Sequence, residues 1–297
     1  MSAYNPKRYD RLAALAQYPL PQHGLSRLWR YITRREQPWL KNRLIRALIN
    51  RYDIDLSEAA DPDPAHYASL NAFFTRALRP DARPIDRAPD SCVSPVDGRG
   101  SQFGMINEGR IFQAKGREFD VRELLGGDTA LAERFAGGSF ATLYLAPRDY
   151  HRVHMPLDGT LERMIHIPGR LFSVNPATTR AVPRLFARNE RVAMLFTTAA
   201  GPMAVVMVGA MLVGSIETVW AGEITPPHGK RIRDWRYDDG SEAAVTLERG
   251  DELGRFNMGS TVILLFARGA VEWTAGLGVD SRVLVGQRIG SARLIGS

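Results

Sequence analysis

Short apolar runs punctuated by glycine recur from about residue 93 to the end of the chain, and this feature constrains the fold most. The runs lie at residues 140–145, 192–197, 204–208, 261–266 and 283–285. Each is too short for a buried helix, and runs of this length bounded by turn residues are typical of buried strands. The pattern predicts an α+β protein whose residues 91–297 form a β-rich domain, built as a sandwich or a barrel-like sheet.

The uncharged stretch at residues 193–216 has the length of a membrane span. Thr197-Thr198 and Gly201-Pro202 interrupt it, however, and such residues break a helix. The stretch therefore predicts two buried strands joined by a Gly-Pro turn.

The N-terminal segment is strongly basic. Residues 1–51 hold eleven Lys and Arg against Asp10 and Glu36, a net charge of +9, whereas the whole chain carries +7. Apolar residues recur at helical spacing over residues 9–17 and 25–51, interrupted at Pro38. Basic amphipathic helices of this kind suit an anionic membrane interface. Packing of the apolar stripes on the rest of the protein, with solvated arginines, is the open alternative, and no nucleic-acid-binding module is recognisable.

Residues 52–95 are rich in Asp and Pro and predict a connector with one short helix near residues 70–78. We therefore divide the chain into residues 1–90, a helical membrane-association segment and connector, and residues 91–297. The N-terminus lacks the apolar core of a secretory signal peptide. The single cysteine, Cys92, excludes a disulfide framework and a multi-thiolate metal site within one chain.

Three separate segments carry chemically useful side chains. Asp97 lies in Ser-Pro-Val-Asp-Gly at 94–98, His151 and His154 lie in Tyr-His-Arg-Val-His-Met-Pro at 150–156, and Ser260 lies in Asn-Met-Gly-Ser-Thr-Val-Ile at 257–263. Each segment alone has an ordinary explanation. The first fits an Asx turn and the third a Gly-Ser turn. The two histidines of the second fit surface residues, or a metal pair on weak evidence. Together they supply the acid, base and hydroxyl of an activated serine. The Gly-x-Ser-x-Gly elbow is missing, so an α/β-hydrolase is not supported.

The chain resembles the pyruvoyl-dependent phosphatidylserine decarboxylase family, because it has several unusual motifs of that family in the same order. The resemblance runs from about Pro80 to the C-terminus, with a looser similarity in the basic helices. It rests on residues 94–98, 113–116 (Gln-Ala-Lys-Gly), 124–127 (Leu-Leu-Gly-Gly), 150–156, 168–176 (Pro-Gly-Arg-Leu-Phe-Ser-Val-Asn-Pro) and 259–261 (Gly-Ser-Thr). Met258 stands where the family commonly has leucine, a residue of similar volume.

The resemblance implies a proenzyme that cuts itself between Gly259 and Ser260, with Ser260 activated by His154 and Asp97. The products are a large chain, residues 1–259, and a small chain, residues 260–297, that starts with a pyruvoyl group made from Ser260. This covalent cofactor, with no metal, is expected to form a Schiff base with phosphatidylserine, which is decarboxylated to phosphatidylethanolamine. We expect His151 to return a proton to the carbanion.

The head-group pocket implied by the resemblance involves Tyr144, Phe172, Ser173 and Asn175. The expected partners are phosphatidylserine in an anionic membrane and the two associated chains, and a homodimer of that pair is allowed. The expected location is peripheral, on the cytoplasmic face of the cell membrane. Three alternatives remain open: a pyruvoyl enzyme acting on a soluble amino acid or nucleoside derivative, an uncut serine hydrolase, and an uncut membrane-surface binding protein.

Overall fold

A computed structural model describes residues 8–114, 117–212, 215–226, 231–238, 240, 244–259 and 261–294. Lys115, Gly116 and Ser260 lie outside these ranges. The helices are α1 (Arg8–Leu15), α2 (Gln22–Thr33), α3 (Pro38–Tyr52), α4 (Leu70–Phe74), α5 (Val121–Leu124), α6 (Thr129–Glu133), α7 (Pro176–Ala181) and α8 (Leu185–Arg188). The strands are β1 (Ser91–Val93), β2 (Gly98–Met105), β3 (Arg110–Ala114), β4 (Arg117–Asp120), β5 (Ser139–Tyr144), β6 (Arg152–His154), β7 (Gly159–Ile167), β8 (Arg191–Thr198), β9 (Gly201–Val208), β10 (Ser215–Thr218), β11 (Gly222–Glu223), β12 (Arg233–Arg236), β13 (Thr246–Leu247), β14 (Glu252–Asn257), β15 (Thr261–Phe266), β16 (Val271–Trp273), β17 (Arg282–Val283) and β18 (Arg288–Ala292).

The helices expected near the N-terminus are confirmed, and so is the short helix expected after residue 70. Pro38 is the first residue of α3, a position where its missing N–H is not needed by the helix. The Ser69 side chain accepts a hydrogen bond from the backbone N–H of Ala72 and so caps α4.

A nine-stranded antiparallel sheet forms the centre of the molecule, in the order β12-β7-β8-β9-β15-β5-β2-β17, with β13 also paired to β7. The central strand β15 is buried along its whole length. Val262, Leu264 and Phe266 of β15 enter one hydrophobic cluster, which also contains residues of β10 and β14. Ile263 and Leu265 enter a second cluster with residues of α5, α6 and α8. The sheet is therefore covered by strands on one face and short helices on the other.

The remaining described strands form a four-stranded sheet (β11-β10-β14-β6), a three-stranded sheet (β1-β18-β16) and the pair β3-β4. The expectation of a barrel-like sheet is wrong, because the large sheet stays open. A barrel requires the outermost strands to pair with each other, whereas β12 pairs with β7 and β17 pairs with β2.

Residues 193–208 form most of the β8–β9 hairpin, which confirms two buried strands in the long uncharged stretch. The turn lies at residues 199–200, while Gly201 and Pro202 are the first residues of β9. Within the part of the chain that the structure describes, no helix has the length and apolarity needed to cross a membrane.

Candidate active site

The three-residue connection at 258–260 carries the chain from one sheet to another. β14 ends at Asn257 in the four-stranded sheet, and β15 begins at Thr261 in the middle of the nine-stranded sheet. Met258 has φ 94° and Gly259 has φ 49°. Glycine adopts such left-handed backbone without a steric penalty, whereas a side chain such as that of Met258 is strained there. Ser260 itself lies outside the described residues, so its neighbours Gly259 and Thr261 define the site.

His151 lies beside this connection with one ring nitrogen unused. Its side chain is fully buried, and its ring centroid lies 4.0 Å from that of Phe74. Nδ1 is 2.7 Å from the Asp149 carbonyl oxygen, which only accepts, so Nδ1 carries the proton and Nε2 carries a lone pair. Nε2 has no hydrogen-bond partner among the described atoms, and a Cβ built on Gly259 would lie 3.8 Å from it. Burial lowers the pKa of His151 to about 3, against the raising effect of the Asp149 hydrogen bond.

His154, at the end of β6, uses both ring nitrogens. Nδ1 donates to the Gly250 carbonyl oxygen at 2.7 Å, and Nε2 lies 3.2 Å from the Tyr150 hydroxyl. Since Nδ1 is the donor, Nε2 accepts from the tyrosine. Burial, the largest cause, lowers the pKa of His154. The ring is therefore neutral and oriented from both sides.

Asp97 is buried and held by two neighbours. Arg83 Nε lies 2.9 and 3.0 Å from its two carboxylate oxygens, and Arg83 Nη2 lies 2.5 Å from Oδ2. The backbone N–H of Val285 donates to Oδ1 at 2.9 Å. The Asp97 segment also meets the histidine segment, since the His154 N–H donates to the Pro95 carbonyl oxygen at 2.8 Å. The described contacts thus form two pairs: the Asp97 segment lies against His154, and His151 lies against Gly259. No contact among the described residues joins the His154 ring to Gly259.

Two cavities flank the connection. One, of about 450 Å³, is lined by Gly259 and Met258 together with apolar residues of α2 and α3. The other, of about 460 Å³, is lined by Thr261 together with three arginines, Arg99, Arg148 and Arg180. Gly259 and Thr261, the residues before and after Ser260 in the sequence, thus line different cavities.

Three of the four residues expected in the head-group pocket line a cavity, and the fourth lies in the core. Tyr144, Ser173 and Asn175 line the cavity beside Gly259, and Tyr144 also lines the second cavity. Phe172 is fully buried in the core, with its ring centroid 4.9 Å from that of Tyr18. The structure gives Phe172 a packing contact and does not place it among the lining residues of either cavity.

Sequence reasoning missed Arg83 and Phe74. Arg83-Pro84 is preceded by the same dipeptide at Arg79-Pro80, so nothing local distinguishes the arginine that binds Asp97. Phe74 is one of several apolar residues of the predicted short helix. Among the residues that the structure describes, no group of three or more His, Cys, Asp or Glu is arranged to hold a metal ion.

Comparison with known proteins identifies the family. A family description named phosphatidylserine decarboxylase matches residues 70–291, and a second, named PSD, matches residues 12–53. The phosphatidylserine decarboxylase proenzyme of Azotobacter vinelandii is 56% identical over 283 residues, which cover 95% of this chain and 99% of the relative. The proenzyme of Alkalilimnicola ehrlichii is 61% identical over 256 residues, which cover 86% and 88%. That of Methylococcus capsulatus is 56% identical over 283 residues, which cover 95% and 97%.

The family matches include the cavities, the histidine segment and the connection at 258–260 that the fold brings together. The chain therefore belongs to the phosphatidylserine decarboxylase family and is a lyase of the decarboxylase class.

Proposed function

We propose that this enzyme converts phosphatidylserine to phosphatidylethanolamine with a pyruvoyl group that it makes from Ser260 by cutting its own chain after Gly259. The observation that carries the proposal is the buried Nε2 of His151, which lies beside Gly259 and has no hydrogen-bond partner among the residues that the structure describes. A buried polar atom without a partner is costly, and such atoms are retained where chemistry needs them. The family membership and the names of the relatives support the same reading.

Cleavage begins when the Ser260 hydroxyl attacks the Gly259 carbonyl carbon. The peptide C–N bond breaks, an ester forms, and the amine of Ser260 becomes free. Removal of the Ser260 α-proton then breaks the Cβ–O bond and expels the Gly259 carboxylate. Water converts the remaining dehydroalanine to a pyruvoyl group with release of ammonia. Glycine at 259 helps because it brings no side chain near the attacked carbonyl and tolerates the left-handed backbone.

We assign activation of the Ser260 hydroxyl to His154 and Asp97. His154 is kept neutral by burial, so its Nε2 can accept a proton once the Tyr150 hydroxyl gives way. Its ring is oriented by the Gly250 carbonyl oxygen, whereas the Asp97 carboxylate binds Arg83 and the Val285 N–H. We therefore expect Asp97 to act through its negative charge, which favours the protonated form of His154.

Once formed, the pyruvoyl group supplies a ketone that condenses with the substrate amine and accepts the electron pair left by carbon dioxide. The described surroundings fit a group at this position, since the cavity beside Gly259 provides space and His151 Nε2 is free. His151 is the group we assign to proton return. Because burial lowers its pKa to about 3, the ring is neutral at neutral pH, and Nε2 must first take up a proton before it can return one.

The membrane is the expected source of the substrate. Trp39 is 71% exposed, and Leu28 and Tyr31 of α2 are also exposed, in the segment of net charge +9. Trp29, Leu48 and Tyr52 of α2 and α3 wall the cavity beside Gly259. Lipid held at these helices would lie next to the cleavage site. We place the enzyme peripherally, on the cytoplasmic face of an anionic membrane.

Part of the basic surface has another role. Arg30 and Arg34 both form ion pairs with Glu223 of β11, so these two arginines join α2 to the four-stranded sheet. The remaining exposed arginines of α2 and α3 are the ones we assign to the membrane.

The test compares the intact masses of the wild-type protein, Ser260→Ala and Ser281→Ala. Ser281→Ala is a matched control because Ser281 also lies in segment 260–297, where its hydroxyl accepts from the Gly278 N–H. We expect wild type and Ser281→Ala to yield a 260–297 fragment blocked by pyruvoyl, and Ser260→Ala to stay whole. Only the cleaved proteins should release carbon dioxide from phosphatidylserine vesicles. A freshly folded wild-type protein that stays in one piece would contradict the proposal.

A further inference from the structure

Asn257 is the last residue of β14 and directly precedes the connection at 258–260. Both the oxygen and the nitrogen of its side-chain amide form hydrogen bonds. It is 2% exposed. Its Oδ1 accepts from Asn71 Nδ2 at 2.9 Å. Its Nδ2 donates to Ser215 Oγ at 2.6 Å and lies 3.3 Å from Glu217 Oε2. The side chain therefore uses its donor and its acceptor, and it fixes the chain two residues before the bond that is cut.

The Ser215 hydroxyl extends this anchor to α2. Ser215 Oγ donates to Glu223 Oε1 at 2.7 Å, and Glu223 also binds Arg30 and Arg34. Glu217 is held by Arg255 Nη2 at 2.5 Å. Ser215 and Glu217, the two acceptors of Asn257, are thus themselves fixed by charged hydrogen bonds, which makes this side of the anchor rigid.

The short helix α4 fixes both sides of the connection at once. Its Asn71 binds Asn257, while its Phe74 packs on His151 with ring centroids 4.0 Å apart. His151 Nε2 is the ring atom that faces the position of a Gly259 side chain. One element therefore sets the position of the connection and of the histidine beside it.

We propose that Asn257 is a positioning residue for self-cleavage, holding the Met258–Gly259 backbone in the conformation from which the Gly259 carbonyl is attacked. The inference rests on the proposed function. Met258 and Gly259 both have positive φ, and a strained conformation persists only where its surroundings hold it. Attack on a carbonyl is sensitive to small displacements, so a loosened connection slows it.

The role of Asn257 ends once the chain is cut. Asn257 then belongs to the large chain, whereas residue 260 belongs to the small chain. From that point Thr261, the second residue of the small chain, is held by the pairing of β15 with β5 and β9. Loss of the anchor should therefore slow the cleavage and leave the decarboxylation by each cleaved molecule intact.

The experiment follows cleavage of Asn257→Ala after cell-free synthesis, by the appearance of the 260–297 fragment on gels. We expect the rate to fall by about ten- to a hundredfold, the effect of misplacing a reacting group. Decarboxylation of phosphatidylserine vesicles, divided by the amount of pyruvoyl fragment, should stay within about twofold of wild type because that step no longer needs the anchor.

Ser139→Ala is the matched control. Ser139 is also 2% exposed, and its hydroxyl donates to the Val271 carbonyl oxygen at 2.9 Å. It pairs with Phe266, at the end of β15 opposite to Thr261 and the connection. We expect Ser139→Ala to lower the melting temperature but to cleave at the wild-type rate. Equal slowing in both variants at a similar loss of stability would overturn the inference, because it would point to general destabilisation.

A charge exchange keeps the proposal testable if Asn257→Ala does not fold. Asn257→Asp keeps the acceptor for Asn71 but places a carboxylate against Glu217, so cleavage should slow. Adding Glu217→Gln removes this repulsion and supplies a donor, so cleavage should recover. Wild-type cleavage rates in Asn257→Ala or Asn257→Asp, or no recovery in the double variant, would reject the anchor. An uncut wild-type protein would instead reject the proposed function itself.

Discussion

His151 combines full burial with a neutral ring, and this has a consequence for stability. A histidine whose pKa is about 3 in the folded protein and about 6.5 in the unfolded chain binds more protons when unfolded throughout the interval between these values. Its contribution to stability is therefore fully present above about pH 6.5 and is lost as the pH falls towards 3. The Asp149 carbonyl opposes this shift and Arg76 adds to it.

We predict that the precursor loses about 2 kcal/mol more stability than its His151→Gln variant between about pH 7 and pH 5. Both proteins carry Ser260→Ala, so that neither is cut. His154 has a pKa lowered by burial too, but it titrates in both proteins and its effect cancels. Urea unfolding at the two pH values measures the difference. Parallel loss of stability in the two proteins would show that His151 is not the group responsible.

Arg83 and Asp97 form an ion pair that is nearly buried, since their side chains are 11% and 7% exposed. Removing one partner leaves a buried charge, which costs more than the pair itself contributes. Glu58 also binds Arg83, but it is half exposed and can turn to solvent.

We predict that Arg83→Met lowers the free energy of unfolding by about 3 kcal/mol. The double variant Arg83→Met with Asp97→Asn should lose less than the sum of the two single variants, by about 2 kcal/mol. Urea unfolding of the four proteins in a Ser260→Ala background measures this coupling. Additive losses would mean that the two side chains do not depend on each other.

At the scale of elements, the sequence predicts strands well where both faces are buried. β8, β9 and β15 are buried over most or all of their length, so each appears as a continuous apolar run. The edge strands β11, β12 and β13 are short and mostly exposed, and they carry charged or polar residues that resemble loop sequence. Whether the sheet closes depends on pairing between its two outermost strands, which no local pattern records.

The candidate site was predictable only in part, for a similar reason. Asp97, His154 and His151 lie in unusual local motifs that can be read directly from the sequence. Arg83 and Phe74 lie in ordinary sequence, whereas Asn257 begins the segment at 257–263 but has no local pattern that points to its partner. Their importance comes from contacts across 14, 77 and 186 positions with Asp97, His151 and Asn71 respectively.

At the scale of the whole molecule, the two chains expected after cleavage share one core. The 260–297 segment supplies β15 to the centre of the large sheet, β17 to its edge, and β16 and β18 to the three-stranded sheet. β15 pairs over six residues with each of β5 and β9. Separating the chains would expose all of these strands, so we expect them to remain together under native conditions.

We propose that the exposed residues of α2 and α3 bring the molecule to its substrate in the membrane. Arg27, Arg43 and Arg46 are exposed there, near the exposed Leu28 and Trp39 in the sequence. In general, basic residues attract a helix to anionic lipid, and apolar side chains enter the interface. Because both effects add, removing the charge alone should weaken binding without unfolding the helices.

We predict that changing Arg27, Arg43 and Arg46 to Gln weakens binding to phosphatidylserine-containing vesicles roughly a hundredfold, since each basic residue contributes about 1 kcal/mol near such a surface. Flotation of the Ser260→Ala precursor with vesicles measures binding apart from catalysis. The control changes Arg110, Arg122 and Arg236 to Gln, which removes the same charge from exposed positions outside α2 and α3. Equal weakening in both triple variants would mean that net charge, not this helical face, governs binding. Unchanged binding in both would leave the apolar residues as the attachment and contradict the electrostatic role of the helices.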